Sequence, residues 1–126
     1  MSGVEGTSER TQLSSEELAR RIAEAALDKK ASDVVILDLR KAVAFTDYFV
    51  LASGANQKQI LAISDAVLEA MRDAGMRPNH VEGYPRQEWI LLDFADFVVH
   101  VFTARTRTFY DLERLWGGAE RREVAG

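Results

Sequence analysis

Two apolar runs only three residues apart constrain this chain more than any other feature. Trp89-Ile90-Leu91-Leu92-Asp93 and Phe97-Val98-Val99-His100-Val101-Phe102 flank Phe94-Ala95-Asp96. A connection that short between strand-forming runs has hairpin length. Side chains alternate across a strand, so Phe97, Val99 and Val101 point one way and Val98, His100 and Phe102 the other. Trp89, Leu91 and Asp93 alternate likewise with Ile90 and Leu92. One face of the hairpin is purely apolar; the other mixes apolar groups with polar tips.

The rest of the chain supplies what packs on that hairpin. Residues 1–13 are small, polar and aperiodic and read as a disordered tail. Ser14 and Glu17 have capping-box spacing, and Leu18, Ile22, Ala25 and Ala26 form the stripe of a first helix ending at Lys29-Lys30. Val34 to Leu39 reads as a strand covered on both faces, Arg40 to Asp47 as a structured loop, and Tyr48 to Ser53 as a second strand. Asn56 and Gln59 cap the longest helix, which carries Ile60, Ile63, Val67 and Met71 and stops at Ala74-Gly75. A short strand, Asn79 to Glu82, precedes the hairpin. Thr106 caps a last helix whose Phe109, Leu112 and Trp116 share a face. After Gly117-Gly118 the chain is too polar to pack, so 117–126 reads as a second disordered tail.

The expected fold is therefore α/β (α+β in some schemes): a single domain over 14–116, in the order α-β-β-α-β-β-β-α. Three helices can hardly cover both faces of a mixed five-stranded sheet. A partly uncovered sheet face with an aromatic anchor is a docking surface, because buried Trp and Tyr dominate interface energies. The alternative for Trp89 is that it closes the edge of the core.

Composition narrows the function. The 126 residues contain no cysteine, which excludes a disulfide scaffold, a thiolate metal site and a cysteine nucleophile. No apolar run approaches the roughly 20 residues that span a bilayer, and MSGVEGTSER lacks the pattern of a secretory signal. The expectation is a cytoplasmic protein with no membrane contact. The formal charge of −4 disfavours a nonspecific grip on nucleic acid and suits a basic protein partner.

Catalytic chemistry is sparse. His80 and His100, the only histidines, fall on different strands and lack the close spacing of a metal pair. Ser53-Gly54 before a helix resembles the glycine-serine turn of nucleotidyltransferases, where helix-start amides hold phosphate. Those enzymes also need two alternating aspartates on a strand to hold divalent metal. Asp65 falls in a helix, and Asp93 and Asp96 flank a turn. No catalytic residue, cofactor or metal site is expected. Arg105, Arg107 and Arg114 near Tyr110 form the one concentrated basic patch, suited to a minor contact with the phosphate and a base of ribosomal or other RNA, but Asp111 and Glu113 partly neutralise it, and a solvated helix face with intrahelical pairs is the stronger reading.

Several stretches together resemble the ribosomal silencing factor family, also called iojap-like. They are Thr46-Asp47-Tyr48-Phe49-Val50, Ser53-Gly54 leading into Gln57–Ile60, Val81-Glu82-Gly83, Trp89-Ile90-Leu91-Leu92-Asp93, Asp96 to Phe102, and Phe109 to Trp116. The resemblance spans about residues 15–116 and looks bacterial. It implies a nucleotidyltransferase-like fold without transferase activity. It also implies binding to the large ribosomal subunit through ribosomal protein L-fourteen, which blocks subunit joining and represses translation when nutrients are scarce. Homodimers are a further implication. Residue by residue, Trp89 matches a family position tied to partner binding, and Asp47, Asp93, His100 and Tyr110 sit in the matching stretches. Around Gly54 the chain departs from the family's usual threonine and serine, carrying Ala52, Ser53, Ala55 and Asn56. The two rival functions are a metal-dependent nucleotidyltransferase and a direct ribosomal RNA-binding module.

Overall fold

Ser14 opens the first helix as its spacing predicts. Its hydroxyl accepts from the Glu17 amide at 3.1 Å, and the Ser14 amide donates to the Glu17 carboxylate at 3.0 Å. The computed structural model describes residues 13–42 and 45–124; the expected tail over 1–13 lies, except for Leu13, outside them. Helix α1 (Ser15–Asp28) buries Leu18, Ala19, Ile22, Ala23 and Ala26. Its small side chains let the helix lie close on strands β1 (Ser32–Asp38) and β2 (Tyr48–Gly54). Helix α2 (Gln57–Asp73) starts where the Asn56 side chain accepts the Gln59 amide at 2.8 Å. It buries Ile60, Ile63, Ser64, Val67 and Met71 and closes at Gly75, whose φ of 83° suits a residue without a Cβ.

Strands β3 (His80–Glu82), β4 (Trp89–Asp93) and β5 (Phe97–Thr103) complete the expected set. Gly83, which follows β3, has φ 97°, and a Cβ there would meet the Trp89 carbonyl oxygen at 1.9 Å. Only glycine lets the chain pass so close to the start of β4. The sheet order is β3-β4-β5-β2-β1-β6. β2 and β5 are parallel, and the other neighbouring pairs are antiparallel.

Two expectations need correction. Over the described residues the sheet has six strands, not five: β6 (Glu120–Glu123) comes from the segment read as a disordered tail and pairs with β1, with Val35 opposite Glu123. Hydropathy misses it because backbone hydrogen bonds and ion pairs hold it. Arg122 reaches Asp38 at 3.3 Å and Glu16 at 3.4 Å, while Arg121 meets Glu113 at 2.8 Å. A charged strand at a sheet edge also discourages pairing with another chain. The second correction concerns the last helix. Thr103, not Thr106, caps it, accepting the Thr106 amide at 3.1 Å. It then breaks at Asp111, with φ 50°, into α3 (Ala104–Tyr110) and α4 (Leu112–Leu115). The break separates the expected apolar face. Leu112 and Trp116 pack on the sheet, whereas Phe109 is 80% exposed.

Helices α1 and α2 cover one sheet face, over Val34, Ile36, Val50, Ile90, Leu92, Phe97, Val99 and Val101. The opposite face carries Val35, Leu37, Phe49, Leu51, Val98 and Phe102, with Leu112, Trp116 and Ala119 of the C-terminal segment packed over it and Trp89 and Leu91 alongside. The hairpin's purely apolar face is inside, and its mixed face lies under the thin cover.

Candidate functional site

The β4–β5 register sets the centre of the mixed face. Trp89 lies opposite Phe102, Leu91 opposite His100, and Asp93 opposite Val98. Trp89 is half-buried, and its indole Nε1–H donates to Nδ1 of His100 at 3.0 Å. His100 is 4% exposed. Burial pushes its pKa down to about 4, so the ring is neutral near pH 7. An accepting Nδ1 leaves the proton on Nε2, which is buried and, among the described residues, has no hydrogen-bond partner. The Phe49 ring stands edge-on to the imidazole at 4.7 Å.

Aromatic contacts spread outward from this pair. Tyr110 packs on Trp89 with ring centroids 4.6 Å apart, and Phe102 lies 5.8 Å away on the strand. Phe109 meets Tyr110 at 5.0 Å, Trp116 meets Phe49 at 6.0 Å, and Phe45 meets Phe49 at 6.2 Å. At the rim Phe45, Phe109, Leu115 and Tyr110 are exposed, by 74%, 80%, 71% and 54%. Exposed large apolar side chains clustered on a polar-rimmed face mark an interaction surface.

The structure joins Trp89, His100 and Tyr110 and sets the acidic candidates apart. Asp93 shares their sheet face, four residues along β4 from Trp89, roughly 13 Å at strand rise. One of its oxygens accepts the Ala95 amide at 2.8 Å, so it also shapes the hairpin turn. Asp47 is exposed at the same end, its amide donating to the Asp96 carbonyl at 2.9 Å. Among the described residues, Asp47, Asp93 and Asp96 take part in no ion pair. They give that end of the face a negative edge.

The basic patch divides. Arg105 and Arg114 are exposed, but Arg107 is only 8% exposed. Arg107 Nη1 donates to the Asp33 carbonyl at 2.6 Å and the Ser53 hydroxyl at 2.8 Å. Its Nε and Nη2 reach the two Glu113 oxygens at 3.0 and 3.1 Å. Arg107 holds the Glu113 carboxyl below the usual carboxylate range, with Arg121 adding to the effect. The sequence reading missed this internal role, because only the fold brings Asp33, Ser53 and Glu113 to one arginine.

The nucleotidyltransferase candidates lie apart. Ser53 lies opposite Phe102 and Tyr48 opposite Phe97, so the Asp93–Asp96 turn is five strand positions from Ser53, roughly 16 Å. Asp65, on α2, accepts from the Tyr84 hydroxyl at 3.0 Å. Among the described residues no group of three potential ligands could hold a metal ion, and no helix is long and apolar enough to cross a membrane.

Comparison with known proteins supplies the family and matches the fold. Residues 12–126 match the family model described as "Ribosomal silencing factor during starvation". The chain belongs to the ribosomal silencing factor family. Ribosomal silencing factor RsfS of Halalkalibacterium halodurans is 36% identical over 114 residues, covering 90% of this chain and 97% of that protein. A crystal structure of a Chromobacterium violaceum protein superposes with a TM-score of 0.81 at 32% identity, covering 90% and 95% of the two chains. A mouse protein named "Mitochondrial assembly of ribosomal large subunit protein 1" is 28% identical over 91 residues, covering 70% of this chain and 40% of that protein. Membership in the silencing factor family ties the chain to ribosome-associated silencing of translation. It bears out the resemblance carried by the hairpin and the Phe109–Trp116 segment.

Proposed function

We propose that this protein silences ribosomes by occupancy, docking its aromatic face on the large subunit at ribosomal protein L-fourteen. Bound there, it stands where the small subunit must come and lowers translation when nutrients are scarce. The observation that carries the reading is the half-buried Trp89, held by His100 and packed against exposed Tyr110, with exposed Phe109 on Tyr110 and exposed Phe45 on Phe49. An anchor whose rotamer is already held loses little entropy on binding. Asp47, Asp93 and Asp96 supply charge complementary to a basic ribosomal protein, which speeds encounter more than it adds affinity. No bond is made or broken in this mechanism, and its setting is the cytoplasm. The same apolar residues serve self-association, the homodimer that family resemblance implies.

The test is sedimentation of purified ribosomal subunits with and without the protein. Cosedimentation with large subunits and a lowered yield of joined ribosomes are expected. Absence of the protein from the large-subunit fraction at every ratio sinks the proposal. Labelled nucleotide with magnesium or manganese is the control for a transferase activity.

A further inference from the structure

Helices α3 and α4 carry the outer aromatic groups of the docking face, yet their one buried residue is a charged one, Arg107, 8% exposed. Leu112 and, just beyond α4, Trp116 give the segment apolar contact with the sheet, and the bonds of Arg107 fix α3 against it. Those bonds tie α3 to the Asp33 carbonyl on β1, to Ser53 on β2 and to Glu113 on α4. Two non-glycine residues adopt left-handed backbone angles to complete the cage. Asp33, φ 50°, sits at the irregularity of β1 between Ser32 and Val35, and its carbonyl accepts from Arg107. Asp111, φ 50°, breaks the helix so that Glu113 comes back to the guanidinium. Such angles persist where the surroundings demand them. Glu113 is held in turn by Arg121, on β6, at 2.8 Å. Within β6 Arg121 also meets Glu123 at 2.8 Å.

We propose that Arg107 is the positioning residue of the docking face, holding α3–α4 so that Tyr110 lies on Trp89, and that Arg121 makes the C-terminal strand a control point over it. The consequence for binding rests on the docking function proposed above. The consequence for the order of α3–α4 does not. Arg107 itself is largely buried and acts on the docking face through the residues it places.

The full chain and its variants Arg107→Gln, Arg107→Lys, Arg121→Ala and Arg121→Lys are compared by amide hydrogen exchange and by affinity for large subunits. Arg107→Gln raises exchange over residues 104–116 at least tenfold, leaves Val99 and Val101 in β5 protected, and weakens binding about tenfold. Arg107→Lys falls between, because one ammonium cannot hold Asp33, Ser53 and both Glu113 oxygens in the same geometry. Arg121→Ala raises the same local exchange and weakens binding about threefold without moving the melting temperature, and Arg121→Lys restores both. Exchange over 104–116 within twofold of wild type in Arg107→Gln overturns the proposal, as does an equal rise throughout the sheet. If Arg107→Gln does not fold, Arg121→Ala decides by the same local exchange. If the wild-type chain binds no subunit, the docking reading falls while the exchange measurements still decide the role of Arg107.

Discussion

The Trp89 indole N–H donates to Nδ1 of His100 across the β4–β5 hairpin at 3.0 Å. The bond runs diagonally, since Trp89 pairs with Phe102 and His100 with Leu91. It fixes both the indole rotamer and the histidine tautomer. His100→Phe takes away the acceptor and leaves a part-buried donor unmet. Urea denaturation is expected to show a loss of about 1 kcal/mol, with less for His100→Gln, whose amide oxygen can replace Nδ1. Equal stability of wild type and His100→Phe would remove the bond from the account.

Protonation of His100 gives a pH dependence of known sign. The unfolded ring takes up its proton near 6.5 and the folded one only near 4, because burial disfavours the cation. Stability from this group is whole above pH 6.5 and is lost as pH falls toward 4, by at most about 3 kcal/mol. Asp38, held low chiefly by Arg40, and Glu113, held low chiefly by Arg107, act in a more acidic window. Their contributions are present above the usual 3.8 and 4.5 and decline below those values. Thermal melts between pH 7 and 4.5 should slope downward in the wild type and flatten in His100→Gln.

Binding energy is expected to concentrate at Trp89. Trp89→Ala weakens large-subunit association by more than about 1 kcal/mol while keeping the far-ultraviolet circular dichroism of the wild type. Phe109→Ser is the cleaner companion, because an 80% exposed ring contributes little to folding. Its stability should stay within about 0.5 kcal/mol of wild type while its affinity drops. Unchanged affinity in both variants would place the contact elsewhere.

The acidic edge is expected to act on rate. Asp47→Lys with Asp96→Lys should slow association with large subunits severalfold at low salt, and added salt should shrink the difference. Stopped-flow association at two ionic strengths measures it. A change confined to dissociation would mean that these carboxylates make close contacts instead.

Local rules made much of the molecule legible. Strand alternation placed Trp89, His100 and Asp93 on one hairpin face and the aliphatic groups on the other, because a fixed period of two leaves a strand no choice. The Ser14–Glu17 and Asn56–Gln59 caps and the Gly75 stop were readable because each is settled within four residues. The missed features are nonlocal. Strand β6 looks like a solvated tail until Asp38, Glu16 and Glu113 are brought beside it. Arg107 looks like one more surface cation until Asp33 and Ser53, seventy-four and fifty-four positions away, close around it.

By itself the sequence determined the types of the elements before β6, the two hairpin faces, the family and the aromatic composition of the 89–116 stretch. These follow from periodicity, capping and the order of motifs, all of which act between near neighbours. Only the tertiary structure decided which sheet face stays thinly covered, that Trp89 is half-buried against a neutral histidine, and that a buried arginine holds the last helices in place. Those outcomes depend on groups that meet only after the sheet has formed, with burial setting the charge state of one and paired charge permitting the burial of the other.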